Sequence, residues 1–440
     1  MIRSLFAFVS LGVALAGNAC AGDKDTPERK LTIVHTNDLH ARLLSDAKSR
    51  GGFAEIATAI RNACAGTEGC LVMDGGDLVQ GSPVSSLFQG VPVYEIANRL
   101  GLDVSTLGNH EFDYGWKKIP KFLEIADFPV LNSNLRHPSE ERLGDASSIV
   151  LTTTNGVRVG VVGAITETLP YLVAPDQLGE WEARPVVDTV APIVAKLRKK
   201  VDLLVVLGHV TDDEEHALLD IPGVDFVIAG HGHAGLTEPV TDDDTAILRV
   251  RAFGHQIGKL DVRVDIRNDR VTDWSWKAIP VQGSDLEPDA ATLEIVNAWE
   301  AKVSALVDID LAEIGHDHDR VEMKDLFERA LAEETGADLA YVNPGAIRGK
   351  FFKGMLRVRD VWTAMPFEDA VVTGTFKGSE FPRSVRAERG LEADRSYRFA
   401  SIDFVVAQWR LQGIVDLDVE HGELYRDLLI RWIGKQERLD

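Results

Sequence analysis

Leu31-Thr32-Ile33-Val34-His35-Thr36-Asn37-Asp38-Leu39-His40 is the stretch on which the fold turns. Its first half is apolar enough for a buried strand, and the chain becomes polar at Asn37 and Asp38. The same shape recurs. Leu71-Val72-Met73 runs into Asp74-Gly75-Gly76-Asp77, and residues 104–107 run into Gly108-Asn109-His110. Residues 201–207 lead to Gly208-His209, and residues 224–229 to Gly230-His231. Helical patterns lie between them, as at 52–63 and 92–100. Strands alternating with helices specify an α/β architecture. In such sheets functional groups gather on loops beyond the strand C-terminal ends. Five strands ending in Asp, Asn or His are more polar convergence than packing requires.

The surrounding composition bounds the function. At roughly 150 residues per domain, 440 residues and 48.2 kDa suggest two or three domains. Hydrophobic residues at 45% and charged residues at 26% describe an ordinary globular chain. Lys+Arg of 47 against Asp+Glu of 69 gives 47 − 69 = −22. An acidic surface repels phosphate backbones, which argues against a dedicated nucleic-acid binder. It leaves a small phosphate substrate open, because bound metal ions reverse the local field.

Met1-Ile2-Arg3 is followed by an apolar run over 5–16 and small residues through Ala21. That is the pattern of a secretory signal over residues 1–21. The run is shorter than the about 20 apolar residues of a spanning helix. Cleavage after Ala19 or Ala21 would export the chain to the periplasm or beyond. A lipoprotein anchored through Cys20 is the alternative, although Gly17-Asn18-Ala19 fits such signals poorly. Cys64 and Cys70 flank a turn-rich Ala65-Gly66-Thr67-Glu68-Gly69, and in an exported protein they read as a disulfide closing that loop.

Residues 22–30 are a polar linker. A first domain spans 30–285, a linker helix 286–307, and a second α/β unit 308–440. Stretches 246–251, 259–267 and 271–278 read as consecutive short strands that finish a second sheet.

The motif set is Asp38-Leu39-His40, Gly76-Asp77, Gly108-Asn109-His110-Glu111, Gly208-His209 and Gly230-His231-Gly232-His233. It offers carboxylate and amide oxygens with imidazole nitrogens and no thiolate, a mixture suited to Mn²⁺, Zn²⁺ or Fe²⁺. A carboxylate can bridge two ions, and two ions about 3.5–4 Å apart clamp both ends of an in-line displacement at phosphorus. Any single Asp-x-His or Gly-His is weak, and Gly108-Asn109-His110-Glu111 is more specific. Five such blocks in this order, each after an apolar strand, are not weak.

The set resembles the calcineurin-like metallophosphoesterases. His35-Thr36-Asn37-Asp38-Leu39-His40 and Gly108-Asn109-His110-Glu111-Phe112-Asp113-Tyr114-Gly115 narrow the resemblance to the bacterial and animal 5′-nucleotidases, over residues 31–280. It implies a four-layer αββα sandwich followed by a smaller α/β substrate-binding domain. It implies that Asp38, His40 and His233 hold one metal, that Asn109, His209 and His231 hold the second, and that Asp77 bridges. His110 would be the catalytic histidine, with Asp113 orienting its imidazole. A metal-bound hydroxide would be the nucleophile, and the sequence offers no protein nucleophile in its place. Of the remaining histidines, His35 and His255 read as structural, and His137, His216 and His421 as surface groups. The run His316-Asp317-His318-Asp319 reads as a polar interdomain loop.

The second half resembles the 5′-nucleotidase substrate domain more weakly. Asn343-Pro344-Gly345-Ala346-Ile347-Arg348 matches a stretch that implies a phosphate contact at Arg348 and a base site lined by Asn343 and Gly345. Phe367 and Phe404 match two rings that stack on a flat base, a sound way to hold one. Two departures stand out. Where the family has a Gly-Gly-Asp-Gly run, this chain has Val405-Val406-Ala407-Gln408-Trp409-Arg410, so Arg410 replaces the ribose-binding Asp. Arg320 only loosely matches the family's upstream phosphate-binding arginine. Together with the leader-like start, the resemblance implies an exported dinuclear phosphohydrolase of 5′-nucleotidase type, taking a nucleotide or other small phosphate ester. A cyclic-nucleotide or nucleotide-sugar phosphodiesterase, a sulfur-oxidation hydrolase, and an inactive metal-binding protein are the alternatives.

Overall fold

The computed structural model describes residues 28–139, 141–242 and 244–439. The expected leader over 1–21, with Cys20, lies outside them. Two six-stranded sheets make the first domain. In one, Glu28–Thr36, Cys70–Asp74, Val104–Thr106 and Val130–Leu131 lie parallel in that order. In the other, Arg158–Ile165, Leu203–His209, Phe226–Gly230 and Thr245–Leu248 lie parallel. Ser148–Thr152 and Val240–Asp242 close its edges antiparallel.

The sheets pack face to face. Leu31, Ile33, Leu71 and Met73 meet Val159, Val161, Val205 and Phe226 in one buried cluster. Side chains alternate along a strand, so Val34 and Val72 point the other way. There they meet Phe53, Ile56 and Ile60 of the helix Phe53–Cys64, and Val296 and Val303 of the helix Ala290–Val307. On the far side, Val162, Leu204 and Val206 pack on Val190 and Val194 of Val186–Leu197. Both faces of each sheet are therefore covered, which is why the strands read as continuous apolar runs rather than alternating ones. The layers are αββα.

One expectation is corrected. Of the three strands expected to finish the second sheet, only Thr245–Leu248 enters it. Gln256–Asp265 and Arg270–Pro280 form a hairpin that joins the first sheet, with Leu31 opposite Val262 and Ile33 opposite Leu260. Leu260, Val262 and Val264 alternate toward the inter-sheet core. Alternation fixes which face is buried but not which neighbour a strand takes. Cys64 and Cys70 form a disulfide between the first helix and the strand after it.

Ala290–Val307 starts at Asp289, whose carboxylate accepts from the Thr292 amide at 2.9 Å. Beyond it, Gly354–Arg357, Asp310–Ile314 and Arg438–Leu439 form one small sheet. Leu339–Ala340, Ser396–Ile402, Ala370–Lys377 and Glu420–Leu424 form another. Phe327, Phe351, Phe399 and Tyr425 fill their core. The polar run 316–319 is a loop that leads into the helix Arg320–Thr335. Asp319 and Glu322 make its capping box, and His316 lies 3.1 Å from Glu322. His137 is half-buried against Trp181, with ring centroids 4.9 Å apart, rather than a free surface group. Among the described residues no helix is long and apolar enough to cross a membrane.

Candidate active site

The loops that follow the central strands of both sheets meet at one edge of the sandwich. They are stitched together by the backbone: Asp38 N–H donates to Gly76 O at 3.0 Å, and His40 N–H to Asp77 O at 2.9 Å. Asn37 spans the two sheets by bonding both polar atoms of Val250. The His231 amide donates to Asp38 Oδ1 at 3.0 Å. Glu111 gathers the second and third loops, accepting from the amides of Asp77 (3.2 Å), Leu78 (2.9 Å) and Gly108 (2.6 Å). Burial pushes this carboxyl up to about 7, with the Asp77 charge adding to the rise. Glu111 stood in the third motif without an assigned role; its bonds make it the brace of the loops.

Seven side chains from five loops converge. His40 Nε2 and His233 Nε2 lie 2.9 Å apart, with Asp38 Oδ1 at 3.9 and 3.8 Å from them. Asn109 Oδ1 is 3.2 Å from His209 Nε2 and 3.1 Å from His231 Nδ1. Between these groups, Asp77 Oδ2 lies 3.2 Å from His209 Nε2 and 3.8 Å from His40 Nε2. Asp38, His40, Asp77 and His231 all have positive φ, between 47° and 75°. Non-glycine residues rarely adopt that conformation, and strain of this kind collects at functional sites. Glycine is needed at 108 for a different reason: a Cβ there would collide with the Asp77 carboxylate.

The donor set fits divalent cations. Burial holds His40 well below the usual histidine range, His231 near 4 and His233 near 3, so these rings are neutral with a lone pair to offer. His209 is fixed by its Nδ1 contact to Gly75 O at 2.9 Å, which turns Nε2 toward the cluster. Burial lowers its pKa, but Asp77 and Asp38 outweigh that and raise it to about 10. A cation taking this place would release that proton. Burial raises Asp38 to about 6. Two carboxylates facing four imidazoles, with little water, are stabilised by positive charge.

His110 stands beside this group. Its Nδ1 lies 2.8 Å from Asp113 Oδ2, which fixes the ring, and its Nε2 lies 2.7 Å from Arg348 Nη2 of the second domain. The Arg348 guanidinium is 5.3 Å from the Phe367 ring centre, and Arg42 donates to Arg348 O at 3.2 Å. A cleft of about 940 Å³ opens from here between the domains, with Asp77, Asn109, His110, His231 and His233 at its floor. Asn343, Gly345, Phe367 and Phe404 line its second-domain wall.

Further groups reach the cleft or lie behind it. Arg410 reaches the rim, where it pairs with Asp416 and donates to Leu417 O. Arg320 donates to Pro344 O at 2.6 Å, beside the Asn343 loop. His421 is exposed and lines the same cleft. Gln80, Asp369 and Gln408 also line it. No motif marked them, although Asp369 follows Phe367 by two residues and Gln408 follows Phe404 by four. His35 is buried behind the site, accepting from Trp276 Nε1 at 2.9 Å, and burial lowers it to about 3. His255 lies 3.4 Å from Asp46.

Comparison with known proteins agrees with this architecture. Residues 31–235 match the family model for calcineurin-like phosphoesterases, and residues 304–407 match that for the 5′-nucleotidase C-terminal domain. The 5′-nucleotidase of Vibrio cholerae is 25% identical over 454 residues, covering 88% of this chain and 81% of that protein. The structure of a 5′-nucleotidase precursor from Thermus thermophilus superposes with a TM-score of 0.82 at 22% identity, over 94% of this chain and 100% of that one. Sulfate thiohydrolase SoxB from the same organism superposes at 0.80 with 14% identity, over 93% and 95%. The chain belongs to the calcineurin-like phosphoesterase family, in the branch that carries a 5′-nucleotidase C-terminal domain. It is a phosphoester hydrolase of a family that uses divalent metal ions.

Proposed function

We propose that the protein is an exported 5′-nucleotidase-type phosphomonoesterase working with two divalent cations. The observation that carries this reading is the meeting of three groups at one cleft floor. They are the oxygen and nitrogen donors around Asp77, the His110–Asp113 pair, and the second domain's Arg348. Asp38, His40 and His233 would hold one cation, Asn109, His209 and His231 the other, and Asp77 both. Bound there, the ions would activate a water and neutralise charge on the phosphate.

The chain's own groups do the rest. Arg348 is half-buried and carries a fixed charge toward His110, where a phosphate oxygen would take its planar donors. His110, held by Asp113, is placed to stabilise the transferring phosphoryl group and to protonate the leaving oxygen through Nε2. Phe367 and Phe404 offer flat apolar faces for a base, and Asn343 and Gly345 the wall between. The leader-like residues 1–21 and the Cys64–Cys70 disulfide support export to an oxidising compartment.

Phosphate release tests the reading. The panel takes the four nucleoside 5′-monophosphates, 2′,3′-cyclic nucleotides, a nucleotide sugar and an aryl phosphate, with Mn²⁺, Zn²⁺ or chelator. Turnover of the monophosphates that disappears with chelator supports it. Turnover of the cyclic or sugar-linked compounds alone would move the assignment to a phosphodiesterase. No metal-dependent turnover of any ester would leave a binding protein.

A further inference from the structure

Helix Asp403–Leu411 runs straight through the region where sequence resemblance expected a glycine-rich turn. It carries Phe404 into the cleft and, one helical turn later on the same face, Gln408. Gln408 is only 7% exposed, and neither its amide nitrogen nor its amide oxygen has a hydrogen-bond partner. Nearby in the wall, Asn343 Oδ1 is likewise buried and unpaired. Val405, Val406 and Trp409 of the same helix border the cleft too, but they pack into the domain core. Trp409 lies 5.6 Å from Tyr341 and 6.1 Å from Phe399, centroid to centroid. Packing therefore explains Trp409 and leaves the Gln408 amide unexplained.

Buried polar groups are almost always paired, so an amide with both ends free in a ligand cleft awaits a ligand. A primary amide presents one donor and one acceptor side by side. That is the complement of a nucleobase edge with an adjacent donor and acceptor, as in the bidentate contact of Gln with adenine. We infer that Gln408 is a specificity-determining residue, reading the polar edge of a base held at Phe404. The inference rests on the nucleotidase reading above and adds to it the residue that discriminates among bases. Arg410, tied to Asp416 at the rim, does not compete for this edge.

The test compares the parent with Gln408→Leu, which keeps the bulk and removes both polar atoms, and Gln408→Glu, which keeps acceptors and removes the donor. For each, kcat/KM is measured on the four nucleoside 5′-monophosphates, and binding of the four free nucleosides is measured by calorimetry. The readout is the ratio between best and worst base within each protein, which a general loss of folding or metal does not move. The parent's ratio should shrink by about tenfold in Gln408→Leu, the worth of one good bidentate pair. The change should lie in KM more than in kcat and recur in the nucleoside affinities. Gln408→Glu should shift preference toward bases that present an amino donor. Ratios unchanged within twofold in both variants would overturn the inference and leave the nucleotidase reading standing. A parent that hydrolyses no nucleotide would overturn both.

Discussion

At the scale of single residues, two predictions separate chemistry from scaffold. His110 touches Arg348 and Asp113, and although its Nε2 lies 3.9 Å from Asp77 Oδ2, it is not one of the proposed metal ligands. His110→Ala should therefore lower kcat by about 10²–10⁴ while the purified protein keeps the parent's metal content. Loss of metal together with rate would show that His110 is a ligand instead. Asp74 tests the scaffold. It is fully buried beneath the first-domain loops, accepting from Thr36 Oγ1 at 2.7 Å and the Gly76 amide at 3.0 Å. Burial raises its pKa from 3.8 to about 7. The folded state then binds the proton more tightly than the unfolded chain. Stability from this group is whole below about pH 4 and is lost as pH rises toward about 7. Asp74→Asn is neutral throughout, so its melting temperature should gain on the parent's between pH 4 and 8. Melting curves that stay parallel across that range would contradict the shift.

At the scale of elements, the site depends on how closely two turns approach. Gly108 lies against Asp77, and Glu111 clamps both turns from beneath. Gly108→Ala should push the Asp77 carboxylate out of place and lower both bound metal and turnover, with the sheets still folded by circular dichroism. Normal metal content in that variant would mean the turn yields and Asp77 keeps its position. This level also shows what the sequence made legible. Strands buried on both faces announce themselves as apolar runs, and the ligand-type residues sit where those runs stop. Leu31 to His40 and Leu71 to Asp77 could thus be read directly. The partner of the hairpin Gln256–Asp265 and Arg270–Pro280 could not, because pairing is decided by the packing of the two sheets rather than by alternation. Gln80, Asp369 and Gln408 were silent for a related reason. A lone amide or acid gains meaning only when the fold buries it in a cleft.

At the scale of the whole molecule, the proposed metal ligands come from both sheets and would join them. Asp38 and Asp77 come from the first sheet's loops, and His209, His231 and His233 from the second's. Cations there would stabilise the folded state by mass action. Chelation should lower the melting temperature by several degrees, since about 1 kcal/mol shifts a domain of this size by 2–4 °C. Asp77→Asn should abolish most of that difference. The second domain is attached by other means. Helix Ala290–Val307 packs Val296, Val303 and Val307 into the first domain's core. At its end, Arg359 of the second domain bonds Glu300 at 2.5 Å and Asp308 at 2.7 Å. The helix therefore packs with the first domain, and we propose that the chain divides just after Asp308. A protein ending there should fold, bind metal and still cleave an aryl phosphate slowly. It would lack Arg348 and the walls that carry Phe367, Phe404 and Gln408. Its kcat/KM for nucleoside monophosphates should then fall to that for the aryl ester, with no ranking among bases. A fragment that kept base selectivity would place recognition in the first domain and remove the reason for the cleft between the two.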